Sequence, residues 1–442
     1  MKYLIETFGC QMNECDSLVL AGILEQNGWQ KSGNLDEADL VLINTCCVRQ
    51  SAENRILGHI GSLKRLKKFK PQMIIAVCGC LTQKEGAEEL FRTKYCHVDL
   101  LLGTFSQGLI AEYAEQIRQS RQKIFDTEER YDDNDLCRLY HSLPSNLSSY
   151  KAQISIIYGC NNFCSYCIVP YVRGKERSRE PQLIIDEIKQ LAQRGCVEIE
   201  LLGQNVNSYG HDLNGWSFAK LLKEVAKIDG IERIRYMTSH PRDFTDELLE
   251  VIAAEKKICK HFHLPVQSGC DRILKLMNRG YTAEKYLLLL DNIRKASPKC
   301  AITSDLIVGF PGESERDFQA TLDFLQTAKL DAAYTFLYSV RTGTPAAIMA
   351  DQVEESTKKA RLNRLMELQN PLSLAANQNM VGNIELILID GPSKNNPDFF
   401  CGRTDNNKLV NFPKTNFQAG QFATMQICDA KTWNLLAKPI NS

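Results

Sequence analysis

The sequence predicts an α/β protein in three parts: an N-terminal open parallel α/β sheet, a central partial (β/α)6 barrel and a small C-terminal β-barrel. Three observations carry this. Strand-like and helix-like segments alternate through the first ~115 residues, then resume for six further units from residue 153. The final ~60 residues change to short strands separated by turns.

In the first part, strand-like runs at 3–8, 40–44, 73–77 and 98–102 precede helix-like segments at 14–27, 51–70, 83–91 and 106–117. Cys10, Cys46 and Cys80 each fall just past a strand. The C-terminal ends of parallel strands share one edge, the usual place for ligands. Three cysteines distant in sequence would therefore meet if the strand order allows it. An acid-rich stretch (126–135) and one rich in Ser, Pro and Asn (142–149) then read as a linker. The expected division is 1–118, a linker at 119–145, 146–376 and 377–442.

Strands are expected at 154–158, 197–202, 234–238, 262–266, 303–308 and 334–338. Six βα units are too few for the eight-stranded barrel. They fit an open one with its chemistry at the C-terminal mouth, closed by a helix at 356–378. In the tail, strands at 385–389, 409–411 and 422–426 lie between turns such as Asp390-Gly391-Pro392. This reads as an OB-like module of the kind that often binds oligonucleotides.

The 442 residues are 44% hydrophobic and 24% charged, with 53 basic against 53 acidic side chains. A nucleic-acid partner would have to meet a local basic patch, because the net charge is zero. No apolar run reaches the ~18 residues of a membrane span. Glu6 interrupts what a signal peptide would keep apolar, so a cytoplasmic location is expected.

Seventeen cysteines stand out. In a reducing compartment they are buried hydrophobes, metal ligands or redox thiols. Cys160, Cys164 and Cys167 form a C-x3-C-x2-C run directly after a predicted strand. Three thiolates at this spacing can hold one face of a 4Fe–4S cluster and leave one iron open. A structural zinc site wants a closed set of four.

The run GCNNFCSYCIVPYVRGKERSR (159–179) resembles the radical-SAM signature, with Tyr166 before the last cysteine. Further stretches extend the likeness nearly end to end: TFGCQMN (7–13), NTCCVR (44–49), GC-x2-Q (79–83), LLGQNVNSYG (201–210), SHPRDF (239–244), HLPVQSG (263–269), SDLIVGFPGE (304–313) and YSVRTGTPAA (338–347). The stretch GRTDNNKLVNF (402–412) is similar to the TRAM module. The chain is thus similar to the radical-SAM methylthiotransferases, in particular those acting on N6-isopentenyladenosine in tRNA.

The resemblance implies methylthiolation at C2 of that base, next to the anticodon at position 37. It implies two 4Fe–4S clusters, one held by Cys160, Cys164 and Cys167, the other (auxiliary, carrying the sulfur) by Cys10, Cys46 and Cys80. Two molecules of S-adenosylmethionine would serve, one as methyl donor and one as radical source. Cys78 shares a strand face with Cys80 and is the natural substitute ligand, whereas Cys47 should face away from Cys46. Cofactor contacts are expected from Tyr166, Gln204, Gln267, Ser268, Gly309 and Gly312. RNA contacts are expected from Arg173, Lys175, Arg177, Arg179, Arg403 and Lys408, with the anticodon stem-loop as ligand. The implied partners are an electron donor such as flavodoxin or ferredoxin and proteins of Fe–S assembly or sulfur donation. Two other readings are the same chemistry on N6-threonylcarbamoyladenosine or a ribosomal-protein aspartate, and a non-catalytic Fe–S or zinc RNA-binding protein.

Overall fold

A computed structural model of the chain describes residues 1–47, 50–129, 150–394 and 396–440. Most of the expected linker lies outside these. The N-terminal unit is a six-stranded, wholly parallel sheet of order β2-β1-β3-β4-β5-β6. Its strands are β1 (Lys2–Thr7), β2 (Gln30–Lys31), β3 (Leu40–Thr45), β4 (Ile74–Gly79), β5 (Leu100–Leu102) and β6 (Ile124–Asp126). β6 falls where the sequence reading began the linker, so the sheet runs past residue 118.

Every residue of β3 and β4 is buried, because helices cover both faces of the sheet. Leu40, Leu42, Ile74, Ala76 and Cys78 pack toward the helices Gln11–Gln26 and Ile110–Ser120. Val41, Ile43, Ile75 and Val77 pack toward Gln50–Phe69 and Ala87–Thr93. The period of two along each strand sets this division. The strand order reverses between β1 and β3, the switch point where such sheets open a crevice at their C-terminal ends.

The central unit carries β7 (Lys151–Ser155), β8 (Ile157–Tyr158), β9 (Arg177–Ser178), β10 (Glu198–Leu202), β11 (Arg233–Tyr236), β12 (His261–His263), β13 (Ala301–Val308) and β14 (Ala332–Leu337). Sheets β11-β10-β7 and β12-β13-β14 are both parallel. A parallel bridge between Ile234 and Ile258 joins them into one arc of six strands. This is the expected open barrel, packed against its surrounding helices through residues such as Ile154, Ile199, Ile234, Phe262, Ile302 and Leu306. β8 and β9 form an antiparallel ribbon around the C-x3-C-x2-C loop.

The helix Glu355–Gln378 leads into a closed five-stranded barrel of order β15-β16-β17-β19-β18. Its strands are β15 (Ile384–Pro392), β16 (Phe399–Arg403), β17 (Leu409–Pro413), β18 (Phe422–Ala430) and β19 (Leu435–Pro439). The turn after β16 plugs the bottom of the central barrel. Arg235 donates to the carbonyls of Thr404 (2.8 Å) and Asp405 (3.0 Å), and Arg233 donates to that of Arg403 (2.8 Å).

Candidate active site at two cysteine triads

The strand order answers the question the N-terminal cysteines pose. β1, β3 and β4 are neighbours, so Cys10, Cys46 and Cys80 leave the sheet side by side on its C-terminal edge. Gly79 makes the last bend possible. It has φ +96°, and a Cβ there would sit 2.3 Å from the Thr45 carbonyl oxygen. The Cys80 amide then donates to that carbonyl at 2.9 Å. Cys46 and Cys80 are buried and Cys10 is exposed.

Cys78 packs in the apolar core beside Leu42 and Ala76. It is therefore a core residue, a correction to its expected role as substitute ligand: Gly79 turns the chain between the two sulfurs. The sulfur that approaches Cys80 is that of Cys47, which hydrogen-bonds to it and packs with Ile168 and Val172. The Cys47 bond and the nearby Arg173 charge hold the Cys80 thiol below its ordinary range, against the pull of burial.

Cys160, Cys164 and Cys167 lie in the loop between β8 and β9; the first two are buried and the third is half-buried. Burial pushes the Cys160 thiol up to about 11 and the Cys167 thiol up to about 12. Ligation by a cationic metal centre is what makes thiolates at such positions. Among the described residues, no three Cys, His, Asp or Glu side chains are close enough to ligate one ion. The chemistry of both donor sets suits a multinuclear iron group, and a buried cation stands beside each. Arg173 Nε donates to Cys80 Sγ and Arg279 Nη1 to Cys164 Sγ, both at 3.3 Å.

A cavity of about 780 Å³ opens beside Cys167, within the size range of cofactor sites. Tyr166, Gln267 and Asp305 line it, with Ile307, Phe336, Leu337 and Val340 as apolar wall. Gln267 has φ +74°, and its Oε1 is buried without a partner. Of the six expected cofactor residues, Tyr166 and Gln267 therefore reach this space. Gln204 is half-buried past β10 and does not line it.

Ser268, Gly309 and Gly312 do not line this cavity and make hydrogen bonds within the fold. Ser268 Oγ meets Thr321 and the Cys270 amide. Gly309 N–H donates to Glu313, which pairs with Arg361 at 2.8 Å. Gly312 N–H donates to the Asp351 carbonyl.

The basic residues separate in the same way. Arg173 is buried against Asp16 (3.0 Å), and Arg179 is buried against Glu187 (2.6 Å). Lys408 pairs with Asp331 at 2.8 Å, and Arg403 bonds the Asn407 carbonyl at 3.0 Å, both under the central barrel. Arg173, Arg179 and Lys408 are thus each paired with a carboxylate of the protein, and Arg403 with its own turn. Arg177 is half-buried over the Phe105 ring, and Lys175 is exposed. The sequence reading missed Phe163 and Tyr171, exposed by 53% and 47% and set edge to face beside the cysteine loop.

The partial barrel and its cysteine loop define a radical S-adenosylmethionine enzyme: residues 154–325 match the Radical SAM superfamily. Residues 2–103 match Uncharacterized protein family UPF0004, and 378–440 match the TRAM domain. The chain is 48% identical over 439 residues to the tRNA-2-methylthio-N(6)-dimethylallyladenosine synthase of Desulforamulus reducens, covering 98% of this chain and 94% of that one. It is 46% identical over 442 residues to the enzyme of the same name from Moorella thermoacetica, covering 99% and 98%. The chain belongs to the tRNA-2-methylthio-N(6)-dimethylallyladenosine synthase family.

Among solved structures, it is similar in fold to the radical S-adenosylmethionine methyltransferase TsrM from Kitasatospora setae. The TM-score is 0.57 at 16% identity, over 78% of this chain and 75% of that one.

Proposed function

We propose that the chain performs the reaction for which its family is named, placing a methylthio group on C2 of N6-dimethylallyladenosine in tRNA. The observation that carries this is the pairing of a C-x3-C-x2-C loop on a radical-SAM barrel with three cysteines at adjoining strand ends of the preceding sheet. Cys160, Cys164 and Cys167 would hold the cluster that binds S-adenosylmethionine. Cys10, Cys46 and Cys80 would hold an auxiliary cluster. When bound, these groups supply a radical able to attack an unactivated C–H bond, and the sulfur that replaces the hydrogen.

The chain's own residues would bind, orient and exclude water. Asp305 and the unpartnered Gln267 oxygen are acceptors at the cavity wall, suited to the exocyclic N–H of an alkylated adenine. Ile307, Phe336, Leu337 and Val340 offer the apolar contact that a dimethylallyl tail needs. Lys175 with Phe163 and Tyr171 would meet the anticodon loop, by phosphate contact and base stacking. The work is cytoplasmic, in keeping with a tRNA substrate; no described helix is long and apolar enough to cross a membrane. An electron donor such as a flavodoxin or ferredoxin, and Fe–S assembly or sulfur-donor proteins, complete the cycle.

The test is mass spectrometry of tRNA nucleosides from a deletion strain and from the strain complemented with this chain. Loss of the 2-methylthio derivative of dimethylallyladenosine, restored on complementation, is expected. Loss confined to threonylcarbamoyladenosine derivatives would replace the substrate. In vitro, Cys10→Ala should spare S-adenosylmethionine cleavage yet stop sulfur insertion, and Cys160→Ala should abolish cleavage.

A further inference from the structure

Arg279 follows the short helix Asp271–Leu276 and is 4% exposed. Its Nη1 donates to Cys164 Sγ (3.3 Å) and Tyr166 Oη (3.4 Å), Nε to Tyr281 Oη (2.9 Å), and Nη2 to the Pro265 carbonyl (2.5 Å). None of these partners is a carboxylate, and no ion pair involves Arg279 among the described residues. A guanidinium cannot shed its proton in a protein, and burying one without an anion costs several kcal/mol. The sulfur side is where an anion would arise, because cysteines ligating an iron group would be thiolates, and Cys164 Sγ already accepts from the guanidinium. Arg279 lies close enough for its charge to act on Cys160 and Cys167 as well as Cys164.

The other triad repeats the device. Arg173 is 5% exposed, gives Nε to Cys80 Sγ at 3.3 Å and Nη2 to Asp16 at 3.0 Å, and lies within range of Cys10. Two arginines unrelated in sequence thus each aim one N–H at one sulfur of a different triad.

We infer that Arg279 and Arg173 are positioning residues, each hydrogen-bonded to a ligand thiolate of its own centre and each raising that centre's reduction potential. This rests on the two-cluster reading above. An N–H donor draws electron density from a ligand sulfur, and a fixed positive charge favours the more negative, reduced form of the cluster. A buried cation with no competing carboxylate leaves its whole charge to act on the centre that Cys164 would hold.

The test isolates one centre at a time in anaerobically reconstituted full-length protein. In the Cys10→Ala/Cys46→Ala/Cys80→Ala background, Arg279→Gln and Arg279→Lys are compared by iron content and by redox titration monitored by electron paramagnetic resonance. Arg279→Gln strands no carboxylate, so it should fold and keep its iron. Its ratio of reduced to oxidised centre at fixed potential should fall by about tenfold, a downward shift of ~59 mV for one electron, with Arg279→Lys recovering part. An unchanged potential, or iron lost from Gln and Lys variants alike, overturns the inference.

In the Cys160→Ala/Cys164→Ala/Cys167→Ala background, Arg173→Gln is paired with Asp16→Asn so that no lone charge is left buried. The same downward shift is expected, and an unmoved potential assigns Arg173 to packing alone. Either triple-cysteine background that still holds two clusters, or holds none, contradicts the two-cluster reading instead, before any arginine is changed.

Discussion

Arg173 and Asp16 meet at 3.0 Å, each 5% exposed at the side chain, and this ion pair ties the helix after the cysteine loop to the first helix of the N-terminal sheet. It fixes the two triads relative to each other. Removing one partner of a buried pair strands the other charge, at a cost of about 3–5 kcal/mol. Asp16→Ala should therefore lower the stability of the reconstituted protein by that order in chemical denaturation. Asp16→Ala with Arg173→Met should recover much of it. A single substitution within 0.5 kcal/mol of wild type would show that the pair is not needed for docking.

Cys78 and Cys80 are two residues apart and differ in kind. Cys78→Ala removes a sulfur from the core facing Leu42 and Ala76, so stability should fall by about 1 kcal/mol with iron content unchanged. Cys80→Ala should remove the auxiliary iron. Cys47→Ala should keep that iron but release the Cys80 thiol from its hydrogen bond. Iron analysis sets Cys80→Ala apart from the other two, and chemical denaturation reads the loss expected for Cys78→Ala.

His240 gives the fold a pH dependence with a definite sign. Its Nδ1 accepts the Arg242 N–H at 3.3 Å, which requires an unprotonated nitrogen. Burial, then the Arg279 charge, push its imidazole down to about 3. The unfolded chain takes up a proton near pH 6.5 that the folded one refuses, so stability is full above that pH and declines from there toward pH 3. Between pH 7 and 5.5 this amounts to roughly 1 kcal/mol. His240→Gln should flatten the decline in denaturation midpoints measured over that range, while an unchanged slope would mean the ring is protonated in the fold.

The RNA-facing surface is expected at Lys175, Phe163 and Tyr171 rather than at Arg179 or Lys408. Lys175→Ala should weaken tRNA binding and reduce the salt slope of log Kd by about 1. Phe163→Ala and Tyr171→Ala should each cost about 1–3 kcal/mol of binding if a base stacks there. Lys408→Ala should leave the salt slope unchanged, because that lysine pairs with Asp331. Filter binding across a salt series reads all four.

The long strands and the C-x3-C-x2-C run were legible because their signals are local, as was the place of each N-terminal cysteine at a strand end. β3 and β4 each open on a run of four apolar residues, and the three N-terminal cysteines each stand one to three residues past a strand. Strand order was not legible, since nothing in β1 states that β3 lies beside it. The two- and three-residue strands β2 and β6 carry too little pattern to register. Arg173 and Arg179 look like a solvated basic run in sequence, yet β9 and its flanks turn both toward buried carboxylates. The Asn-rich turn after β16 reads as an exposed tip, and would be one in an isolated barrel; the central domain covers it here. Arg279 gave no signal at all, because a single arginine acquires meaning only from what surrounds it.

Iron and acid-labile sulfide counting, paired with Mössbauer spectra, on the anaerobic protein and its two triple-cysteine variants bears most directly on the whole account. Two [4Fe–4S] centres in the parent, with one surviving in each variant, are predicted. A parent with a single centre, or a variant that keeps both, would leave one of the triads without its assigned role.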